Sequence, residues 1–538
     1  MTTLQELQQR VSSDSKPPVE EIELTKSVHQ AHISNHEEHQ FGVFESLRRY
    51  PWACVWCVYA IWCITLLSFD VQAAGAVVGI PQFRKDFGFE YEGDYVLPAK
   101  WQSAFGGAPI ATAIISSLIS AELADMFGRK KVLMGALVIS YIAVAVEFVA
   151  TTNAVFFAGK FLNGFMVGAV ATAMITYIGE ISPLALRGIF TCCIGVAYGL
   201  GPLVAFIVIN YTGHYESRWA YRAVFCAQFG FSGIATLFIS FMPESPWWLA
   251  SKGRNTAALK SLDKLSLPGD EGKKRLALIE LTLEQIRAET SGISYIECFR
   301  KSNLRRTIIA IMPYCIQSFS GISFVAGYFT YYLQLAGYST TASFQIQIAQ
   351  PVVSIVGNLM AAGSIDYIGR RNLTFWGLVI LTAFLLITGG LAVGGSPAKI
   401  KGTVAFILIY SWWYNVSIGS TAFSLLSEVA TSRLRAKTVA IGYAVHSGIN
   451  VMWQFVIPFM FNPDQGNLGG KIAFVFGGMC FFCLVYLWLW QPETSGRSFR
   501  ELDEMFAKGV PARKFKTFRT DVQIDGEAAA VVGGSKMV

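Results

Sequence analysis

The chain has 538 residues, of which 53% are hydrophobic, 14% aromatic and only 15% charged, with a mean hydropathy of +0.44. A chain so apolar and so long exceeds what one soluble core can hold and reads as a polytopic membrane protein. Its net charge of +7 lies largely beside apolar segments, where loops on one membrane face collect Lys and Arg, and no basic module with interleaved aromatics occurs, so nucleic-acid binding is excluded.

Residues 1–50 are polar, without the basic stretch, apolar core and cleavage site of a secretory signal, and are expected to form a cytoplasmic tail. His36-Glu37-Glu38-His39 lacks the His-Glu-x-x-His spacing of a zinc helix, and no further ligand cluster follows. It reads as solvated charge, and neither a metal nor a cofactor is expected. From Pro51 about twelve apolar segments of spanning length follow. Six lie near 52–80, 101–121, 132–150, 153–178, 188–211 and 222–242. Six more lie near 307–333, 344–364, 373–395, 403–426, 438–461 and 471–491. The expected domains are a tail (1–50), an N-terminal half (51–242), a central loop (243–306), a C-terminal half (307–491) and a second tail (492–538).

The central loop opens on Pro243-Glu244-Ser245-Pro246-Trp247-Trp248, where prolines end a helix and two tryptophans are expected at headgroup depth. It continues with apolar residues at helical spacing between charges, the pattern of short amphipathic helices, and closes on Arg300-Lys301 and Arg305-Arg306. An even number of spans puts both termini on one face. Arg48-Arg49, Arg129-Lys130-Lys131, Arg370-Arg371 and Arg433 to Lys437 share that face, which the positive-inside rule makes cytoplasmic; Arg84-Lys85 and Arg218 fall on the other. Nine of the ten cysteines lie in or beside spans as small hydrophobes, with Cys298 in the central loop, so no disulfide framework is expected. Asn210-Tyr211-Thr212, at an outer helix end, is a candidate glycosylation sequon.

The chain repeats itself once, in order. Asp125-Met126-Phe127-Gly128-Arg129 recurs as Asp366-Tyr367-Ile368-Gly369-Arg370. Glu180 to Arg187 recurs as Glu428 to Arg435, and Pro243-Glu244-Ser245 as Pro492-Glu493-Thr494. A shared offset of this kind makes two homologous halves, an arrangement typical of transporters. Inside the spans, ionisable residues are few, and a charged side chain at the bilayer centre costs about 2.5–3.5 kcal/mol on insertion scales. Asp70 in the first span and Lys160 in the fourth are therefore functional candidates, whereas Glu147, near the end of the third, is read as interfacial.

These signatures resemble those of the sugar porter branch of the major facilitator superfamily, over about residues 50–505. Pro-Glu-Ser-Pro-Trp-Trp-Leu at 243–249, Gly159-Lys160, Gly321 and Val325-Ala326-Gly327-Tyr328 are similar to the fungal α-glucoside (maltose-type) permeases. The resemblance implies an all-α membrane protein of the major facilitator fold, with twelve transmembrane helices in two pseudo-symmetric six-helix halves. It also implies a proton-coupled symporter of the plasma membrane, with both termini cytoplasmic, that takes up a sugar, an α-glucoside disaccharide such as maltose, by alternating access. A monosaccharide, polyol, quinate-like acid or small secondary metabolite is the alternative cargo, and a non-transporting sugar sensor the alternative role. No nucleotide-binding loop, metal cluster or nucleophile elbow suggests an enzyme. The implied partners are the sugar or glycoside, protons and the bilayer.

Residue by residue, the resemblance implies that Asp70 takes and releases the proton and that Lys160, where the family usually has Arg, holds it ionised. Gln317, Ser318, Ser323, Tyr328, His446 and Asn450 are the implied substrate contacts. Gly195 and Ile418 stand where the family offers Gln and Trp, which suggests a roomier or less hydroxylated substrate than a free hexose. Asp125, Arg129, Glu180, Arg187 and Glu244, with Asp366, Arg370, Glu428, Arg435 and Glu493, form the expected inner gate, whose ion pairs would latch the halves in the outward-facing state.

Overall fold

The computed structural model describes residues 43–520, apart from 92, 291–293, 394–395, 431–433 and 495–498. The side chains of several helical residues, among them Arg187, Asp366 and Arg435, lie outside the described residues, as do His36-Glu37-Glu38-His39 and Arg433.

A short helix α1 (Val43–Arg49) leads into α2 (Pro51–Ala76), the first long apolar helix. Then come α3 (Pro81–Phe87) and an antiparallel hairpin of β1 (Phe89–Tyr91) and β2 (Asp94–Val96). The long helices α4 (Ala99–Phe127), α5 (Arg129–Val149), α6 (Asn153–Ile181), α7 (Leu184–Thr212) and α8 (Trp219–Ile239) complete the first group. The central segment holds α9 (Pro246–Ser251), α10 (Asn255–Lys264) and α11 (Asp270–Thr290). The second group is α12 (Lys301–Phe319), α13 (Ile322–Leu335), α14 (Thr340–Ile368), α15 (Arg370–Ala392), α16 (Pro397–Val416), α17 (Ile418–Val429), α18 (Arg435–Phe461) and α19 (Ile472–Trp490), followed by α20 (Phe499–Ala507). Helices close their own backbone hydrogen bonds, which the interior of a bilayer demands.

Among the described residues, eleven helical stretches are long and apolar enough to cross a membrane, where about twelve were expected. The difference lies in the tenth expected span, which is divided into α16 and α17 at Ser417, a residue with φ and ψ both at −105°. The seventh is also two helices, α12 and α13, but runs on as one stretch through Gly321. That glycine has φ +92°, and a Cβ on it would lie 2.8 Å from the Phe476 ring, so both the backbone and the space require glycine.

The two groups pack within themselves and meet along α4 with α18, α7 with α14 and α2 with α13. Gly75 lets α2 approach α13 closely, since a Cβ there would lie 2.9 Å from the Gly327 carbonyl oxygen. The hydrogen bonds that join described residues of the two groups lie at the end away from the central segment. Gln72 Nε2 donates to Ala326 O at 2.6 Å, Gln102 Nε2 to Asn462 Oδ1 at 3.0 Å and Arg84 Nη1 to Gln334 Oε1 at 2.8 Å. Gln334 Nε2 donates in turn to Gly79 O at 2.7 Å, and Ser103 Oγ to Phe455 O at 3.1 Å. The bundle is closed at that end.

The central helices have a small core of Trp248, Leu249, Ala258, Leu262 and Leu276 and rest under the first group, tied to it by the Arg49–Glu271 ion pair. Trp248 is buried, and its indole N–H donates to the Asp125 carbonyl at 2.8 Å. The amphipathic α20 also folds back, with Leu502, Met505, Val510 and Phe515 packed together, and Arg305 Nη2 donates to Val510 O at 3.1 Å.

Candidate functional site

The repeated motifs converge at the central-segment end of each group. Gly128 and Gly369 have φ of +96° and +91° and begin α5 and α15, turning the chain sharply so that the following Arg opens a new helix. Glu244 Oε1 accepts from the backbone N–H groups of Arg129 and Lys130 at 2.9 and 3.3 Å, and Glu493 Oε1 from that of Arg371 at 3.4 Å. A carboxylate at the positive end of a helix is a favourable placement, and it leaves no room for a Cβ on either glycine: the atom would lie 2.3 Å from a Glu244 oxygen or 2.9 Å from a Glu493 oxygen. Arg129 Nη2 is 2.7 Å from Glu180 Oε1 and its Nη1 is 3.3 Å from Asp125; Arg370 Nε is 3.1 Å from Glu428 Oε1. Each pair joins residues of one group only, so in this structure they brace the halves separately and do not cross between them. The side chains of Arg187, Asp366 and Arg435 lie outside the described residues.

The second cluster lies inside the first group. Lys160, Asp70 and Glu147 are at most 2% exposed. Lys160 Nζ is 2.9 Å from Glu147 Oε2 and 3.6 Å from Asp70 Oδ1. Asn163 Nδ2 donates to Asp70 Oδ1 and, at 3.1 Å, to Glu147 Oε1. The Phe156 and Phe225 rings stand 5.8 and 5.5 Å from the ammonium. The reading of Glu147 as interfacial is thereby corrected: it reaches inward because Gly159, next to Lys160, leaves the gap, and a Cβ at Gly159 would lie 2.5 Å from Glu147 Cγ. Two carboxylates facing one ammonium carry a net negative charge in an apolar enclosure. A single added proton cancels it, so the cluster has the composition of a proton acceptor.

In the second group, four of the six expected substrate contacts form one chain between α12–α13 and α18. Ser323 Oγ donates to Asn450 Oδ1 at 3.2 Å, Asn450 Nδ2 lies 2.9 Å from His446 Nε2, and His446 Nδ1 lies 2.8 Å from Ser318 Oγ and 2.9 Å from Tyr314 O. A carbonyl can only accept, so Nδ1 carries the proton and Nε2 accepts from Asn450: the imidazole is neutral. Tyr314 stacks on it with ring centroids 4.0 Å apart. Gln317 is not in this chain; its amide donates to Gly419 O at 3.0 Å. Asn210, the first residue of the candidate sequon, lies in the last turn of α7, and its Oδ1 is buried.

A cavity of about 190 Å³ lies between the groups, beneath the closed end, lined by Gln72, Gln102, Ser323, Tyr328 and Gln454 together with small and apolar residues of α2, α4 and α13. None of its lining residues carries a charge. Tyr328 OH donates to Gln454 Oε1 at 3.4 Å. Gln72, Gln102, Gln454 and Asn163 were missed by a search for ionisable groups alone. A glutamine or asparagine within an apolar span is the signal that identifies them, because its amide also needs partners there.

Residues 56–506 match the family described as Sugar (and other) transporter. The chain is 28% identical over 519 residues to the general alpha-glucoside permease of Saccharomyces cerevisiae, covering 94% of this chain and 83% of that one. It is 29% identical over 531 residues to the maltose permease MAL31 of the same yeast, covering 97% and 86%. Among solved structures, the inward open conformation of the xylose transporter XylE from E. coli superposes with a TM-score of 0.69 at 19% identity, over 84% of this chain and 99% of that one.

Proposed function

The chain belongs to the sugar transporter family of the major facilitator superfamily, and from that premise we propose that it is a proton-coupled symporter of a neutral glycoside, an α-glucoside such as maltose. The observation that carries the choice of cargo is the chemistry of the cavity wall. Amides, hydroxyls and a phenol line it without any charge, which suits a neutral polyhydroxylated molecule and gives a quinate-like acid no counter-ion. The yeast relatives are named for α-glucosides and maltose, in keeping with that wall.

Coupling is assigned to Asp70, Glu147 and Lys160. With the proton bound, the ammonium and the remaining carboxylate neutralise one another and the first group can rearrange without carrying a bare charge through the apolar core. Without it, the excess carboxylate resists that change. The bundle, closed at the end away from the central segment, corresponds to an inward-facing state when the basic end is cytoplasmic, as expected of a plasma-membrane protein with both termini inside. Labelled maltose, glucose, a polyol and quinate offered to a transport-null yeast expressing the chain test the reading. The expected result is concentrative maltose uptake that collapses on adding a protonophore. Uptake of quinate but not of maltose would replace the substrate, and uptake indifferent to the protonophore would remove the coupling.

A further inference from the structure

We propose that the cavity beneath the closed end is a subsite for the second pyranose ring of a disaccharide, with Gln72, Gln102 and Gln454 as its hydroxyl-binding amides; this rests on the glycoside reading above. Its volume of about 190 Å³ is smaller than the roughly 300–1,000 Å³ of a site for a drug-sized ligand and is the scale of a single ring. The polar chain from Ser318 through His446 to Asn450 lies outside this cavity and meets it at Ser323, which belongs to both. The cavity and this polar chain therefore adjoin through Ser323, so that a ring held in the cavity lies next to the expected substrate contacts of α12, α13 and α18.

The amides supply what hydroxyls need. Gln102 is 2% exposed, its nitrogen already donates to Leu97 O at 2.7 Å and to Asn462 Oδ1 at 3.0 Å, and its Oε1 is buried with no hydrogen-bond partner. A buried acceptor left empty beside a cavity calls for a donor, and a sugar O–H is one. Gln72 spends its nitrogen on Ala326 O and keeps its oxygen for the ligand, while Gln454 spends its oxygen on Tyr328 and keeps its N–H groups. The wall thus offers acceptors from α2 and α4 and a donor from α18, the pairing that hydroxyl groups, both donors and acceptors, can satisfy. Pro109 and Ile110 give apolar surface for the C–H face of a ring. Gly106 keeps the space open: a Cβ there would lie 2.6 Å from Gln454 Oε1 and 3.7 Å from the Tyr328 hydroxyl.

The test compares labelled maltose with labelled methyl α-D-glucoside, which has one ring, in wild type, Gln454→Ala and Gly106→Ala, with membrane levels measured by an epitope tag. The ratio of the maltose KM to the methyl glucoside KM is expected to rise about fivefold to tenfold in Gln454→Ala, the scale of a lost hydrogen bond, and at least as much in Gly106→Ala, where the methyl group occupies the space. Gln72→Ala replaces Gly106→Ala if the latter fails to reach the membrane, with the same direction expected. A ratio that stays at the wild-type value, whether both KM values rise together or neither moves, overturns the subsite while leaving glycoside transport standing. A wild type that transports neither sugar overturns the glycoside reading and the subsite with it.

Discussion

Lys160 is closer to Glu147 than to Asp70: its ammonium lies 2.9 Å from the carboxylate on α5 and 3.6 Å from the one on α2, and Asn163 bonds to both. The cation is therefore shared, and no carboxylate in this cluster can be changed without altering the charge felt by the other. Asp70→Asn and Glu147→Gln each leave one carboxylate with one ammonium, a neutral pair with no vacancy for a proton. Both variants are expected to lose accumulation against a gradient while still exchanging substrate down it. Accumulation at the wild-type level in Glu147→Gln would confine coupling to Asp70; the same result in Asp70→Asn would remove the cluster from coupling altogether.

Removing the cation has a different expected signature, in stability. In Lys160→Met the buried carboxylates of Asp70 and Glu147 both lose their positive partner, and breaking a buried ion pair from one side typically costs about 3–5 kcal/mol. The variant should be poorly expressed or melt well below wild type in detergent, and adding Asp70→Asn and Glu147→Gln together should restore much of the loss. A triple variant no more stable than Lys160→Met would show that the charge imbalance is not the cause.

The chain of Ser323, Asn450, His446 and Ser318 predicts unequal effects at the expected substrate contacts. His446 holds three partners and carries the chain, whereas Gln317 is engaged with the Gly419 carbonyl on α17. His446→Ala should raise the KM of the transported sugar by about tenfold, the scale of more than one neutral hydrogen bond, and Gln317→Ala by less. Uptake kinetics in the two variants check the order; a larger effect at Gln317 would place the substrate against α17.

Much of this was legible in the sequence because membrane proteins write their constraints strongly. The spans announce themselves by hydropathy, and the repeated Gly-Arg, Glu and Pro-Glu segments mark equivalent positions in two halves; that Glu244 and Glu493 reach the helix starts beside Gly128 and Gly369 is seen only in the structure. Asp70 and Lys160 stood out as charges in apolar surroundings. Glu147 did not, because two residues from the end of its helix it looks like a headgroup contact, and only the missing side chain at Gly159, on another helix, makes room for it inside. The same limit hid Gln72, Gln102 and Gln454: whether an amide in a span faces lipid, a neighbour or a cavity depends on how α2, α4 and α18 cross, which no local pattern encodes. The break at Ser417 was equally invisible, since the breaking residue is a serine and the nearby Gly419 lies inside a stretch, 403–426, that reads as a single apolar span.

Closure of the bundle away from the central segment predicts where a small change should open it. Gln334 contributes two bonds across the groups, accepting from Arg84 at 2.8 Å and donating to Gly79 O at 2.7 Å. Arg84 is buried; its other hydrogen bonds go to the Val78 and Tyr95 carbonyls, and burial draws its guanidinium below the usual arginine range, so the closed state depends on neutral oxygens to hold a desolvated cation. In Gln334→Ala the closed state loses both bonds and leaves one donor of Arg84 without its partner, whereas in the open state water takes over the same roles. At about 0.5–1.5 kcal/mol for each bond, closure should weaken by about 1–3 kcal/mol, a shift of about 5- to 150-fold in the ratio of closed to open molecules. Thr330, packed against Gly79, is exposed by that opening, so labelling of Thr330→Cys by an impermeant thiol reagent from outside should accelerate when Gln334→Ala is added. Unchanged labelling, with Thr330→Cys alone as the baseline, would mean that the packing of Gly75 on Gly327 and of α4 on α18 holds this end shut without the arginine and glutamine.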